Sequence, residues 1–151
     1  MKRRQTMPER WLVIYRRMDA ELWLVLRRLP RGSGVLILCE LEATDVRRLR
    51  HLASLRHLTV VKEQRRTAVR VHNIRELRSA LLARTRLIFL SPLFPTRSHP
   101  DWKPIPRMRA AALARLGGRR LHALGGMDAR RYAKVARLGF SGWAGISAFR
   151  T

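Results

Sequence analysis

Three segments in the last third of the chain decide the fold: Arg86-Leu-Ile-Phe-Leu-Ser-Pro-Leu-Phe-Pro-Thr-Arg-Ser-His99, Arg119-Arg-Leu-His-Ala-Leu-Gly-Gly-Met127 and Gly142-Trp-Ala-Gly-Ile-Ser-Ala-Phe149. Each is a short apolar run that ends in small or turn-forming residues. Sequence typical of an amphipathic helix precedes the next run. This alternation predicts an α/β fold in which parallel strands are joined by crossover helices.

Glycine at the ends of parallel strands has a use in binding anions. Backbone without a Cβ atom can come close to an anion and turn its N–H groups toward it. In a (β/α)₈ barrel this is common after the last two strands. Gly125-Gly126 and Gly145-Ile146-Ser147 therefore predict an anion site, although Gly-Gly alone could simply form a tight turn.

The same three segments resemble the thiamine-phosphate synthase/TenI family, over roughly residues 68 to 151. The family patterns GP-x-FPT-x-TK, A-x-GG and V-x-SA correspond to Ser91–His99, Ala123–Met127 and Gly145–Phe149. The resemblance implies a TIM-barrel-like fold. It also implies an enzyme that joins hydroxymethylpyrimidine diphosphate to thiazole phosphate and releases pyrophosphate.

The first half of the chain predicts four earlier strands, in Trp11–Tyr15, Val35–Leu38, Leu58–Val61 and Ala68–Val71. Adjacent parallel strands need a crossover of about a dozen residues, whereas Lys62–Thr67 provides six. Either the third and fourth strands form an antiparallel hairpin, or one of them is not a barrel strand.

We therefore expect a shortened barrel of about seven strands. Relative to the family, one strand-helix unit between Val61 and Ala68 and the closing helix are missing. An open seam would expose strand edges, so we hypothesise that a homodimer covers it.

The resemblance assigns most site residues to the late strands. The phosphate of the substrate would be held by Gly125, Gly126, Ile146 and Ser147, mostly through backbone N–H groups. A substrate loop would comprise Pro95, Thr96, Arg97 and Ser98.

The pyrophosphate half of the family site is largely absent. Leu38–Glu42 replaces the family's Q-L-R-x-K, and Lys62-Glu63-Gln64 replaces its N-D. Mg²⁺, which the resemblance implies as a cofactor, prefers carboxylate and phosphate oxygens, so Glu63 alone is a poor site and we assign no metal ligands. Arg70 replaces the first Ser of S-T-H-S and is a candidate contact for pyrophosphate.

Two histidines are candidate acid/base residues. His72 matches the His of S-T-H-S, and His99 stands where the family has a loop Lys. Histidine can exchange protons near neutral pH. A structural role for His72 is the alternative.

Composition limits the classes of protein. The chain has 151 residues, which corresponds to one domain: we expect a flexible basic segment at 1–10 and a single barrel domain at 11–151. The lone Cys39 excludes a disulfide framework, and no signal or transmembrane stretch is evident, so we expect a cytoplasmic protein with no membrane association.

The balance of 33 Lys and Arg against 10 Asp and Glu gives a net charge of +23. Such a charge favours anionic partners. We expect a phosphorylated small-molecule substrate, and nucleic acid only non-specifically through charge. The alternative to the transferase is a non-catalytic protein that binds or senses a phosphorylated ligand.

Overall fold

A computed structural model describes residues 6–150, which form seven strands and five α-helices. The strands are β1 (Arg10–Ile14), β2 (Gly34–Ile37), β3 (Thr59–Lys62), β4 (Ala68–Val71), β5 (Leu87–Leu90), β6 (Leu121–Leu124) and β7 (Trp143–Gly145). The helices are α1 (Ala20–Arg28), α2 (Ala43–Arg56), α3 (Ile74–Leu82), α4 (Arg107–Gly117) and α5 (Ala129–Val135). The predicted shortened α/β barrel is confirmed.

Side-chain caps start three of the helices. Asp19, Asn73 and Asp128 each accept a hydrogen bond from the backbone N–H three residues later, which satisfies a donor that the helix leaves free. The helix α2 has no side-chain cap. It begins after Glu42, whose carbonyl accepts a hydrogen bond from Val46 N at 3.0 Å.

The sheet runs in the order β3-β2-β1-β7-β6-β5-β4, and all its ladders are parallel. The strands β3 and β4 are therefore the two edges of the sheet, and a seam lies between them. Both are sheet strands, and they pair only at the single antiparallel bridge of Gln64 with Ala68. The predicted antiparallel hairpin is therefore wrong, and so is the alternative that one of the two strands lies outside the barrel. The short link needs no crossover helix because the two strands share no ladder.

The seam is not fully exposed. Val60, Val61 and Val69 on its two edges are half-buried. The Arg70 guanidinium binds the Glu63 carboxylate next to the seam, with Nε–Oε2 at 2.8 Å and Nη2–Oε1 at 3.0 Å. A homodimer across the seam stays a prediction.

The barrel interior is filled by large side chains. Trp11, Phe89 and the fully buried His122 meet there, with ring centroids 5.3–6.2 Å apart. A Cβ atom on Gly34 would lie 2.2 Å from the Trp11 ring, so glycine is needed at that position. Burial lowers the pKa of His122, because the charged imidazolium would lose its hydration in this core.

The predicted flexible segment 1–10 is described only in part, since residues 1 to 5 lie outside the described residues. Pro8 is buried and its carbonyl accepts a hydrogen bond from Trp11 Nε1 at 2.9 Å. Glu9 O accepts one from Trp143 N at 2.8 Å. The sheet thus fixes the backbone immediately before β1.

Within residues 6–150, none of the helices has the length and apolar character that a membrane crossing requires.

Candidate functional site

A cavity of about 630 Å³ opens at the carboxyl ends of the strands. Every site residue predicted from the sequence lines it. These residues are Arg70, His72, Pro95, Thr96, Arg97, Ser98, His99, Gly125, Gly126, Ile146 and Ser147. Their common location follows from the parallel sheet, because the carboxyl ends of all parallel strands meet on the same face.

The Gly125-Gly126 loop follows β6 and needs glycine at both positions. Both residues have positive φ, +100° and +61°. A Cβ on Gly125 would lie 2.7 Å from Pro92 Cα, and one on Gly126 would lie 2.4 Å from Pro95 O. The tight turn proposed as the alternative is therefore present, and it presses this loop against the segment that follows β5.

The hydrogen bonds of this loop leave an amide free. The Leu124 and Gly125 carbonyls accept from Leu93 N and Phe94 N, each at 3.1 Å. The Gly126 carbonyl accepts from the Arg131 guanidinium at 2.6 Å. Among residues 6–150, the Gly126 N–H has no acceptor, so it is available to a bound anion.

The second loop follows β7, the neighbour of β6 in the sheet. Ile146 precedes a 3₁₀ turn at Ser147–Phe149, and neither the Ile146 nor the Ser147 N–H donates to another group in the described part of the chain. A Cβ on Gly145 would lie 2.8 Å from Met127 O. The two glycine-containing loops are thus in close contact at the cavity.

Arginines dominate the charge of the cavity. Arg97, Arg131 and Arg150 line it together with Arg70, whereas Asp128 is the single carboxylate among the lining residues. Asp128 is occupied as the N-cap of α5, where it accepts from Arg131 N at 2.7 Å. The cavity therefore attracts anions.

Sequence reasoning missed Arg131 and Arg150. The Arg131 guanidinium lies over the Phe94 ring, 5.3 Å from its centroid, and is held by Gly126 O. In Arg150, Nε and Nη2 are buried without a hydrogen-bond acceptor among residues 6–150, and the nearest carboxylate oxygen is Glu21 Oε1 at 3.6 Å. The available signal was their position in the sequence, because Arg131 stands three residues after Asp128 and Arg150 stands three residues after Ser147.

The two predicted histidines lie on either side of Trp102, which the sequence analysis did not single out. The His99 ring stacks on Trp102 with centroids 3.9 Å apart and planes 8° apart. His72 meets Trp102 edge-on at 5.4 Å. His72 Nδ1 is 3.0 Å from Glu76 Oε2, while its Nε2 is buried without a partner among the described residues. A lone Trp in a polar, proline-rich loop was the available signal.

The side chains at the early strands are engaged with one another. Arg70 is bound to Glu63, as described above, and Lys62 Nζ lies 2.6 Å from Glu40 Oε1. The Cys39 thiol faces the Arg16 carbonyl at 3.5 Å, and burial raises the pKa of this thiol. The predicted pyrophosphate contact Arg70 thus already has a carboxylate partner.

The residues present do not fit a Mg²⁺ site. Glu63, the one candidate ligand, is engaged by Arg70. Among residues 6–150, no group of three His, Cys, Asp or Glu side chains is placed to hold a metal ion.

Comparisons with known proteins agree with this architecture. Thiamine phosphate pyrophosphorylase from Pyrococcus furiosus is 14% identical, with a TM-score of 0.75 over 95% of this chain and 88% of that chain. The corresponding protein from Bacteroides thetaiotaomicron is 12% identical, with a TM-score of 0.60 over 94% and 84%. At these identities the likeness concerns the fold.

No curated protein matches the sequence significantly. The sequence model of the thiamine monophosphate synthase family matches residues 28–149, which is most of the chain. The chain therefore belongs to the thiamine monophosphate synthase family.

Proposed function

We propose that this chain binds a phosphorylated small molecule, with the phosphoryl group held between the Gly125-Gly126 loop and the Ile146-Ser147 turn. One observation carries the proposal: two loops in contact present N–H groups without acceptors to a cavity lined by arginines. Backbone amides and guanidinium groups are the usual protein partners of phosphate.

The ligand that best suits the cavity is a thiazole phosphate, the phosphorylated substrate implied by the family. Its phosphate would contact Gly126, Ser147 and Arg150. The thiazole ring would extend toward the middle of the cavity, where Val13, Leu124 and Ala144 line the wall. These apolar side chains suit a small heteroaromatic ring.

Transfer is the second candidate function. The cavity also reaches Tyr15 and Leu38 at the early strands, which leaves room for a pyrimidine diphosphate. The departing pyrophosphate would need its charge neutralised, and losing such stabilisation commonly lowers rates by about two to three orders of magnitude. Arg97 and His99 line the same cavity and are candidates for this role, whereas Lys103 lines only a neighbouring cavity of about 470 Å³.

In the transfer reaction, His72 is our candidate for moving a proton. Its Nδ1 is oriented by the Glu76 carboxylate. Its Nε2 has no partner among residues 6–150 but is buried, so proton exchange with a bound substrate requires the neighbouring Trp102 side chain to move. Trp102 packs against the ring and limits its rotation.

Titration calorimetry with thiazole phosphate tests the binding function, with the unphosphorylated thiazole alcohol as the matched control. We expect saturable binding of the phosphate and none of the alcohol at the same concentrations. Equal binding of the two compounds, or no binding of either, would contradict the proposal.

Pyrophosphate release from a mixture of both substrates then separates the two candidates. Release above the uncatalysed rate, with an equal amount of thiamine phosphate formed, makes the chain a transferase. Binding of thiazole phosphate without release makes it a non-catalytic member of the family.

A further inference from the structure

The carboxylates of this chain lie almost entirely at one end of the barrel. Apart from Glu9, each follows the carboxyl end of a strand or lies in the first turn of a helix. They are Asp19, Glu21, Glu40, Glu42, Asp45, Glu63, Glu76, Asp101 and Asp128. This arrangement agrees with the preference of anionic groups for helix N-termini. It leaves the amino end of the barrel, opposite the cavity, with few negative charges.

A group of arginines occupies that opposite end. We call it the arginine rim, and it consists of Arg65, Arg66, Arg84, Arg86, Arg119 and Arg120, in the segments that lead into β4, β5 and β6. All of these side chains are exposed except the half-buried Arg120. Favourable interaction with helix C-termini accounts for only part of the group. Arg84, Arg119 and Arg120 follow α3 and α4 within three residues, whereas Arg65 and Arg66 lie in the link between β3 and β4, where no helix ends.

Hydrogen bonds around the buried Thr85 bring the rim together. Arg86 N donates to Arg66 O at 3.1 Å, and the Thr85 hydroxyl donates to Arg65 O. Arg120 Nη1 donates to Thr85 O at 3.4 Å. Three segments distant in sequence thus place their arginines along one arc.

The rim has no carboxylate to balance it. Every ion pair in the described part of the chain involves other cations, namely Arg16, Arg17, Lys62, Arg70, His72 and Arg150. Like charges held close together repel one another unless an anionic partner binds. An extended partner with regularly spaced negative charges would fit this arc.

We propose that the arginine rim binds the phosphate backbone of nucleic acid, independently of the phosphate site in the cavity. The guanidinium fork pairs with phosphate in two parallel hydrogen bonds, so arginine suits this partner. The exposed aromatic residues Tyr15 and Trp102 line the cavity at the other end of the barrel. Without aromatic residues to stack on bases, the rim would read backbone charge and not base sequence.

An anionic membrane is the competing partner. Leu82 and Leu116 are exposed and belong to helices that end near the rim. They are single leucines on separate helices, whereas membrane-surface helices present a continuous apolar face with aromatic anchors. The charge distribution therefore favours nucleic acid.

Fluorescence anisotropy with a short labelled RNA of mixed sequence tests the proposal, using two variants of equal charge. The rim variant is R65Q/R66Q/R86Q/R119Q, which spares Arg120 because it holds Thr85. The control is R47Q/R50Q/R75Q/R78Q, which removes exposed arginines from α2 and α3. Thermal melts of both variants establish that they remain folded.

We expect the rim variant to bind RNA about 10- to 100-fold more weakly than the parent, and the control variant within about threefold of it. In the rim variant the slope of log affinity against log salt should fall by about 3 in magnitude, since each lost contact to a single strand contributes about 0.7.

Equal losses in the two variants would overturn the proposal in favour of net charge alone. A rim variant that binds RNA normally but no longer binds phosphatidylserine vesicles would also overturn the proposal, because the rim would then be a membrane-binding surface. Thiazole phosphate should leave RNA binding unchanged, because the cavity lies at the other end of the barrel; competition would place the RNA at the cavity and overturn the assignment to the rim.

Discussion

The late and early strands meet at the same mouth of the barrel, yet the polar groups there differ in how they are partnered. Those after the late strands have few partners, whereas those at the early strands are closely paired. After β6 and β7, the Gly126 and Ser147 amides have no acceptor among residues 6–150. Arg150 lines the same cavity and has only a long ion pair, with its Nε 3.6 Å from Glu21 Oε1. After β3 and in β4, Glu63 and Arg70 neutralise each other. A polar group at a strand end is therefore more available to a ligand where the fold gives it no close partner.

The largest effect in this comparison is expected from Gly126→Ala. The added Cβ would meet Pro95 O, which would displace the loop and its free amide. We expect affinity for inorganic phosphate to fall by roughly 10- to 100-fold, as calorimetry would measure, since hydrogen bonds to charged groups contribute about 1.5–3 kcal/mol.

Gly118→Ala is the matched control for this change. Gly118 has the same φ of +61°, but a Cβ there would meet nothing within 4 Å, and the residue does not line the cavity. It should lose some stability and keep its affinity for phosphate. A similar affinity in both variants would show that the late loops do not hold the anion.

A smaller effect is expected from Arg150→Gln. Removing a guanidinium with two nitrogens free of acceptors should weaken phosphate binding by roughly 5- to 10-fold, without a large change in melting temperature. Arg137→Gln, an exposed residue of the 3₁₀ turn Ala136–Leu138, removes the same charge elsewhere. If the two variants bind phosphate equally, Arg150 contributes only through net charge.

The smallest effect is expected from Glu63→Gln. The pair with Arg70 is about one-third exposed, so its loss should cost about 1 kcal/mol of stability or less, measured by denaturant unfolding. Phosphate affinity should stay the same or rise slightly, because Arg70 gains freedom to face the cavity. A clear fall in phosphate affinity would mean that the early strands take part in binding.

The features that could be predicted from the sequence are the local ones. Asp19, Asn73 and Asp128 indicate helix starts because a cap involves only neighbouring residues. The glycine loops could be located because glycine marks backbone that other residues rarely adopt. The candidate site residues that were named from the family resemblance all line one cavity, while their roles stay predictions.

The remaining features depend on contacts between distant residues. The approach of Arg150 to Glu21 and the pairing of Arg70 with Glu63 depend on how far the barrel closes, which no local pattern reports. A seam between Val61 and Ala68 was expected, but the short link left two alternatives for β3 and β4, and neither of them has both strands in the sheet without a shared ladder. Trp102 becomes notable only when the loop places it between His72 and His99.

The strand order also bears on how the molecule folds. The sheet consists of two blocks that are each contiguous in the chain, β1 to β3 and β4 to β7, and the ladder between β1 and β7 alone joins them. That ladder pairs Arg10 with Trp143, near opposite ends of the sequence. Closing so long a loop carries a large entropic cost and slows folding. We expect the two blocks to form first and their union to come last, so that Arg150 reaches α1 only at the end of folding.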